Sequence, residues 1–329
     1  MTFAQGERIY QFRALSDLWT GSANGKHNRL ITTGLLGSIR WWFEVLVRGL
    51  GGSACDPTDT KCKDRKHCVV CELFGCTGWA RKFRFEVLGK DGTPKTTQIT
   101  QNDPFQFCFA ELRPIRVEEW TLLDATLRLI AGYGAIGGKT VFKPTDESSR
   151  AGRPHHKDSH HKDYGLVQMI QSRQFDGTGR GDLKTYLSLS ERKKINHGEF
   201  AWASLQRFWC VKKKYLARQT GNASTFNHVI GRPEPKQQSG QNDSWIAGRR
   251  PDRRNKIEAE SKKVFSFKDP ESARRTFGFV MSIKSDNPAL IDFDAMTKRL
   301  QDVWGKDGWE FLTGEKIIDR LFAKEEDRP

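Results

Sequence analysis

The hydrophobic period of this chain switches between two and 3.6 in a fixed order, and that order constrains the fold more than any other feature. Residues 7–15, Glu-Arg-Ile-Tyr-Gln-Phe-Arg-Ala-Leu, alternate as a first strand. Leu35, Ile39, Trp42, Phe43, Leu46 and Leu50 then recur at helical spacing, which predicts an amphipathic helix over residues 34–49. Thr32 or Thr33 is expected to cap its start, and Gly49, Gly51 and Gly52 to end it. Arg40, Glu44 and Arg48 stand at successive i,i+4 positions and are expected on the other face, weakly paired. Phe83, Phe85 and Val87 alternate with charged neighbours, and Phe105, Phe107 and Phe109 repeat the pattern. Two half-buried strands therefore flank the polar loop 89–104. Glu118 and Glu119 open a second helix, with Leu122, Leu123, Leu127 and Ile130 inward. The order β-α-β-β-α lacks one strand of a ferredoxin-like unit, and residues 164–170 can supply it.

Between the first helix and the second strand lies a cysteine cluster. Cys55, Cys62, Cys68 and Cys71 fall within 17 residues, with His67 and Cys76 close by. Four thiolates, two of them in a Cys-x-x-Cys turn, suit a tetrahedral zinc ion. The filling between them (Asp56, Lys61, Lys63, Asp64, Arg65, Lys66) is too charged to build its own core, so a metal would supply the folding energy. Four thiolates leave no open position, so the zinc is expected to be structural. A disulfide framework or unpaired thiols are the alternatives, and whether His67 or Cys76 replaces one ligand stays open.

Several segments carry cations beside glycines or aromatics. Arg40 and Trp41 sit near a glycine-containing turn at a helix N-terminus, a ready place for an anion. The turn-rich connection 19–29 carries Lys26, His27 and Arg29. The stretch Gly132-Tyr133-Gly134-Ala135-Ile136-Gly137-Gly138-Lys139 follows the second helix. It is no P-loop, because position 133 is tyrosine and the loop follows a helix instead of a strand. Its glycines let backbone approach a phosphate or sugar, with Lys139 as a point charge. Residues 145–163 are polar and hold two histidine pairs without an apolar frame, and they read as a loop.

The segment 177–182 reads as a linker, which divides the chain into an N-terminal domain (1–176, with a cysteine-rich insertion at 53–76) and a C-terminal domain (183–329). In the latter a helix is expected over 198–218 with Phe200, Leu205, Phe208, Trp209 and Leu216 inward. Residues 219–263 are loop-rich and cationic, including Arg249, Arg250 and Arg253. A strand is expected over 276–283, and helices over 294–304 and 314–322. The fold class is therefore α+β, with two ferredoxin-like units in tandem, the second degenerate, and a zinc-binding insertion in the first.

Leu35-Leu36-Gly37-Ser38-Ile39-Arg40-Trp41-Trp42-Phe43-Glu44 resembles the signature of the RAMP superfamily of CRISPR systems, and within it the first subunit of the type III-B Cmr effector complex. Glu72-Leu73-Phe74-Gly75 resembles that family's Leu-Phe-Gly segment, and Gly132–Lys139 its glycine-rich loop. The resemblance covers about residues 1–145. It implies a ferredoxin-like (RAMP/RRM-like) fold and an RNA-binding subunit of a ribonucleoprotein in antiviral defence. Its partners would be the 3′ part of a guide RNA, the paired single-stranded target RNA and other type III effector subunits. In several nuclease members the loop before the signature holds an aspartate. Here it has none, and His27 is the one substitute, so no catalytic residue is assigned.

Bulk properties agree with this reading. A net charge of +15, ten tryptophans and 21 phenylalanines suit an acidic polymer with bases to stack. No run of 18 apolar residues and no signal-peptide pattern occur, so a cytoplasmic protein without a membrane partner is expected. The expected RNA contacts are Lys26, His27, Arg29, Arg40, Trp41, Gly134, Gly137, Gly138, Lys139, Arg249, Arg250 and Arg253, and the expected zinc ligands Cys55, Cys62, Cys68 and Cys71. An endoribonuclease of the same superfamily and a zinc-stabilised, protein-only scaffold are the other two readings.

Overall fold

In the computed structural model the first sheet has the order β2-β3-β1-β4, all pairs antiparallel. Its strands are β1 (Glu7–Ala14), β2 (Phe83–Gly89), β3 (Pro104–Glu111) and β4 (Val167–Gln171). The residues described are 6–21, 29–55, 62, 66–138, 144–147, 163–171, 180–195, 200–219, 223–232, 245–248, 260–281 and 292–323. They fall into two compact units. One comprises the described residues of Met1–Thr140, Tyr164–Gln206 and Glu315–Pro329, the other those of Val141–Asp163 and Arg207–Gly314.

The first sheet buries one face through its alternating aromatics. Phe12 stands opposite Phe105 and Phe85 opposite Phe109, and all four rings are buried. Helices α1 (Thr32–Gly49) and α3 (Val117–Tyr133) pack against each other, and the short α2 (Val69–Phe74) follows α1. Phe74 joins them to the sheet, with its ring against both Phe43 of α1 and Phe83 of β2. Chain order with sheet order gives a complete ferredoxin-like unit.

The start of α1 differs from expectation. Its N-cap is Ile31, without a side-chain cap, and Thr32 and Thr33 are already helical. The hydroxyl of Thr20 instead accepts the Ile31 amide at 2.9 Å, so the cap comes from a neighbouring segment. The triad Arg40–Glu44–Arg48 differs more. Glu44 and Arg48 are only 3% and 4% exposed, so this stripe faces the interior and its ion pairs are buried.

The supposed linker also needs correction: Arg180, Gly181 and Asp182 open α4 (Arg180–Ser188), whose Leu183, Tyr186 and Leu187 are buried. Residues 177–179 lie outside the described residues.

The second sheet has the order β6-β7-β5-β8, again antiparallel. Its unit runs β5 (Phe208–Lys212), α5 (Thr225–Val229), β6 (Val264–Phe267), β7 (Arg275–Phe279), α6 (Phe293–Trp304) and β8 (Leu312–Thr313); the next helix, α7 (Gly314–Phe322), belongs from Glu315 onward to the first unit. The run from β5 to β8 repeats the element order and sheet order of the first unit. The degeneracy lies in length, since α5 has five residues and β8 two.

Residues 198–218 are therefore not a helix. Leu205, Phe208, Trp209 and Leu216 are buried as expected, but Phe208–Val211 belong to a central strand in which successive side chains are all buried. A strand covered on both faces reads as a continuous apolar run, which periodicity cannot separate from a buried helix. Within 219–263, α5 and the turn Trp245–Ala247 place Phe226, Val229 and Ile246 in the same core as Trp209.

Candidate metal centre and nucleic-acid interface

Cys68 is the N-cap of α2 and Cys71 lies one turn in, so the Cys-x-x-Cys spacing doubles as a helix start. The Cys71 amide donates to the Cys68 sulfur (3.5 Å), and the Cys68 amide donates to Cys62 Sγ (3.2 Å). Cys55 arrives from the turn after α1. Its sulfur lies 3.1 Å from that of Cys71 and 3.8 Å from that of Cys68. All four sulfurs are buried and within 4.8 Å of one another. Zinc–sulfur bonds of about 2.3 Å give a tetrahedron with edges of roughly 3.8 Å, so the group fits such an ion. Hydrogen bonding, from Cys55 first, draws the Cys68 thiol down to about 6 and draws Cys62 lower still. The same bonding pushes Cys55 and Cys71 up.

Cys76 stands beside this group, its thiol donating to the Cys62 carbonyl at 3.3 Å. The His67 ring stacks on Trp79 at 4.4 Å and lies 3.8 Å from Glu72. Among the described residues, only the four cysteines form a cluster able to hold a metal.

Arg40 turns toward this cluster. Its Nη1 donates to the Gly75 carbonyl (2.7 Å), its Nη2 to Cys71 Sγ (3.4 Å) and its Nε to Glu44 (3.2 Å). Burial opposes its charge, but Cys71 and Glu44 hold its pKa above the ordinary guanidinium value. Arg48 donates to the carbonyls of Ala203 (3.1 Å) and Ala54 (3.4 Å) and pairs with Glu44 at 3.5 Å. Burial pushes the Glu44 carboxyl up to about 7 against the pull of both arginines.

The second feature is the meeting of α1 with the glycine-rich loop. Trp42 Nε1 donates to the Ala135 carbonyl, and a Cβ on Gly134 would lie 2.5 Å from the Trp42 ring. Gly137 has φ +120°, and a Cβ there would lie 2.6 Å from the Trp19 carbonyl. Glycine is thus required at 134 by close approach and at 137 by both approach and backbone. The Gly137 amide donates to Ser38 Oγ (3.1 Å), that of Gly138 to the Trp19 carbonyl (2.9 Å), and that of Gly134 back into α3. These amides are engaged within the protein. Nearby, Gly37 is exposed with open space around its absent Cβ, and Trp41 is half-buried, edge-on to Trp42 at 4.9 Å.

Of the expected RNA-contacting residues, Trp41, Gly134, Gly137 and Gly138 thus gather around α1, while Arg40 reaches the cysteines. Arg29 is exposed and bridges to Thr97 of the β2–β3 connection. Lys26, His27, Lys139, Arg249, Arg250 and Arg253 lie outside the described residues. Sequence reasoning missed Ser38 and Trp19, which hold the loop. Its signal was the small residue after Gly37, one turn before Trp42.

Residues 11–142 match the family model of the RAMP superfamily. No curated protein matches by sequence. Among solved structures, a chain of the type III-B Cmr-beta complex, bound to cognate target RNA and AMPPnP in the presence of single-stranded DNA, is similar. It has a TM-score of 0.50 and 10% identity, over 97% of this chain and 100% of that one. Cmr1 from Pyrococcus furiosus, in its apo form, aligns over 94% of this chain and all of its own with a TM-score of 0.46 and 10% identity. The likeness to the Cmr-beta chain extends to the whole fold.

Proposed function

We propose that this chain, a RAMP-superfamily protein over residues 11–142, is a non-catalytic RNA-binding subunit of a type III CRISPR effector ribonucleoprotein of the Cmr kind. It holds the 3′ part of the guide RNA and the paired target RNA beside other effector subunits. The observation that carries this reading is the interlock of α1 with the glycine-rich loop, Trp42 on Gly134 and Ala135, Ser38 on Gly137. It leaves the exposed Gly37, where backbone can approach closely, next to Trp41, and the chain as a whole carries a net charge of +15.

Because the loop amides are already engaged, phosphate contact falls to cationic side chains: Arg29, Lys26, His27, Lys139 and the run with Arg249, Arg250 and Arg253. Trp41 supplies a stacking edge. Such contacts position a guide without reading its sequence. The four-cysteine group holds zinc as a structural ion, fixing the insertion between α1 and β2.

The test is binding of the purified full-length chain to single-stranded RNA and to a guide–target duplex across a salt series. Log affinity is expected to fall linearly with log salt concentration. Affinity that ignores salt contradicts the reading, and absence of binding favours a protein-only scaffold. The endoribonuclease alternative rests on His27, and RNA cleavage lost in His27→Ala would establish it.

A further inference from the structure

We infer that Arg40, with Arg48 two turns along α1, is a positioning residue for the metal held by Cys55, Cys62, Cys68 and Cys71, balancing thiolate charge and tying the ligands to the helix. The inference rests on reading that group as a metal site. Four thiolates around a divalent cation carry a net charge of minus two, and here all four sulfurs are buried. A buried anion of that charge calls for paired cations with hydrogen bonds to spare.

The two arginines stand in that position, and each grips one ligand-bearing segment. Arg40 reaches the Cys71 sulfur and, through its other terminal nitrogen, the Gly75 carbonyl at the end of α2. Arg48 holds the Ala54 carbonyl, the residue before Cys55, and on its second nitrogen the Ala203 carbonyl. Glu44 lies between them, 3.2 Å from Arg40 and 3.5 Å from Arg48, and fixes both forks. The spacing i, i+4, i+8 puts all three on one stripe of α1, so the metal insertion is pinned to the helix that carries Trp41 and Trp42. A guanidinium can serve sulfur and carbonyl together because its donors form a rigid fork, which a lysine ammonium lacks. With its side chain only 17% exposed, Arg40 has its fork committed to this cluster.

The test measures zinc affinity of the full-length chain by chelator competition, together with the thiolate-to-metal charge-transfer band after cobalt substitution. Removing a partner of the ligands typically weakens metal binding about 10- to 100-fold, and Arg40→Gln is expected in that range. Arg40→Lys restores charge without the fork and is expected between the two, with a shifted cobalt band. If Arg40→Gln does not fold, Arg48→Gln carries the same expectation. Folded variants with unchanged zinc affinity and an unshifted cobalt band overturn the inference, even if their melting temperature drops. A wild-type chain that binds no zinc defeats the metal reading itself. Zinc-binding wild type beside indifferent variants defeats only the role of Arg40 and Arg48.

Discussion

The indole nitrogen of Trp42 donates to the carbonyl of Ala135 at 2.8 Å, joining residues 93 apart in sequence, and the adjacent Gly134 presents bare backbone to the same ring. The pair locks the first helix to the glycine-rich loop, and it makes the glycines of the two segments behave differently when replaced. Gly134→Ala drives a methyl into the Trp42 ring, and overpacking of this kind costs about 1–3 kcal/mol. Gly37 lies in the same helix with nothing within 4 Å of its absent Cβ. Gly37→Ala is expected to stabilise the protein by roughly 0.5–1 kcal/mol. If RNA backbone approaches at Gly37, the same substitution weakens RNA binding while raising the melting temperature. Thermal melts with an RNA titration on both variants check this, and unchanged RNA affinity in Gly37→Ala moves the interface elsewhere.

A second prediction concerns the buried cation at the base of β2. Lys82 Nζ lies 2.9 Å from Glu72 and 2.9 Å from Glu119, and Glu119 is fully buried. Glu119 also accepts from the Arg116 amide (3.0 Å) and the Tyr186 hydroxyl (2.8 Å). Lys82→Met strands part of that charge and is expected to cost about 3–5 kcal/mol. The double variant Lys82→Met, Glu119→Gln should recover part of the loss. Denaturant melts of the two singles and the double, compared as a cycle, decide it. Additive losses would mean the residues act independently.

What the sequence made legible follows from how strongly one face of each element was marked. The alternating Phe83, Phe85, Phe105, Phe107 and Phe109 announced two strands because each places its aromatics on one buried face, with Arg84 and Glu86 on the other face of β2 and Gln106 on that of β3. The run Phe208–Trp209–Cys210–Val211 announced burial only, since both faces of β5 are covered, and a helix was the wrong choice. For the metal group, four cysteines within 17 residues, two of them in a Cys-x-x-Cys turn, pointed to Cys55, Cys62, Cys68 and Cys71, and the structure brings all four together. Arg40, Glu44 and Arg48 looked like a solvated stripe because i,i+4 charge pairs usually are. Tertiary packing turns that stripe inward, against Cys71 and the carbonyls of Ala54, Gly75 and Ala203. The engagement of the loop amides by Ser38 and Trp19 was equally invisible, because it depends on long-range approach of backbone to backbone.

Glu44 provides a pH test. Burial raises its pKa from about 4.5 to about 7, so the folded state binds this proton more tightly than the unfolded chain does. Its contribution to stability is therefore full below about 4.5 and is lost as pH rises through about 7. The shift corresponds to at most roughly 3 kcal/mol. Glu44→Gln removes this titration. The stability difference between wild type and variant, at one fixed zinc concentration, is expected to move in favour of the variant across that window. Parallel stability curves from pH 4 to 8 would show that the Glu44 pKa is not shifted by folding.

Metal removal should act first on the segment that carries the four cysteines. Between Cys55 and α2 the sequence is rich in charged residues, and the four sulfurs of Cys55, Cys62, Cys68 and Cys71 come together. If zinc binds only the folded state, a free concentration 100 times the dissociation constant contributes about 2.7 kcal/mol, all of it lost on chelation. Chelator is expected to lower the melting temperature of the wild type and expose the residues around 55–71 to protease while the strands of the first sheet stay protected. Cys68→Ser, which removes a ligand and keeps a hydroxyl able to cap α2, should reproduce the chelated state and respond no further to chelator. Equal melting temperatures with and without chelator, in a wild-type chain shown to contain zinc, would mean that the ion is not what holds this segment.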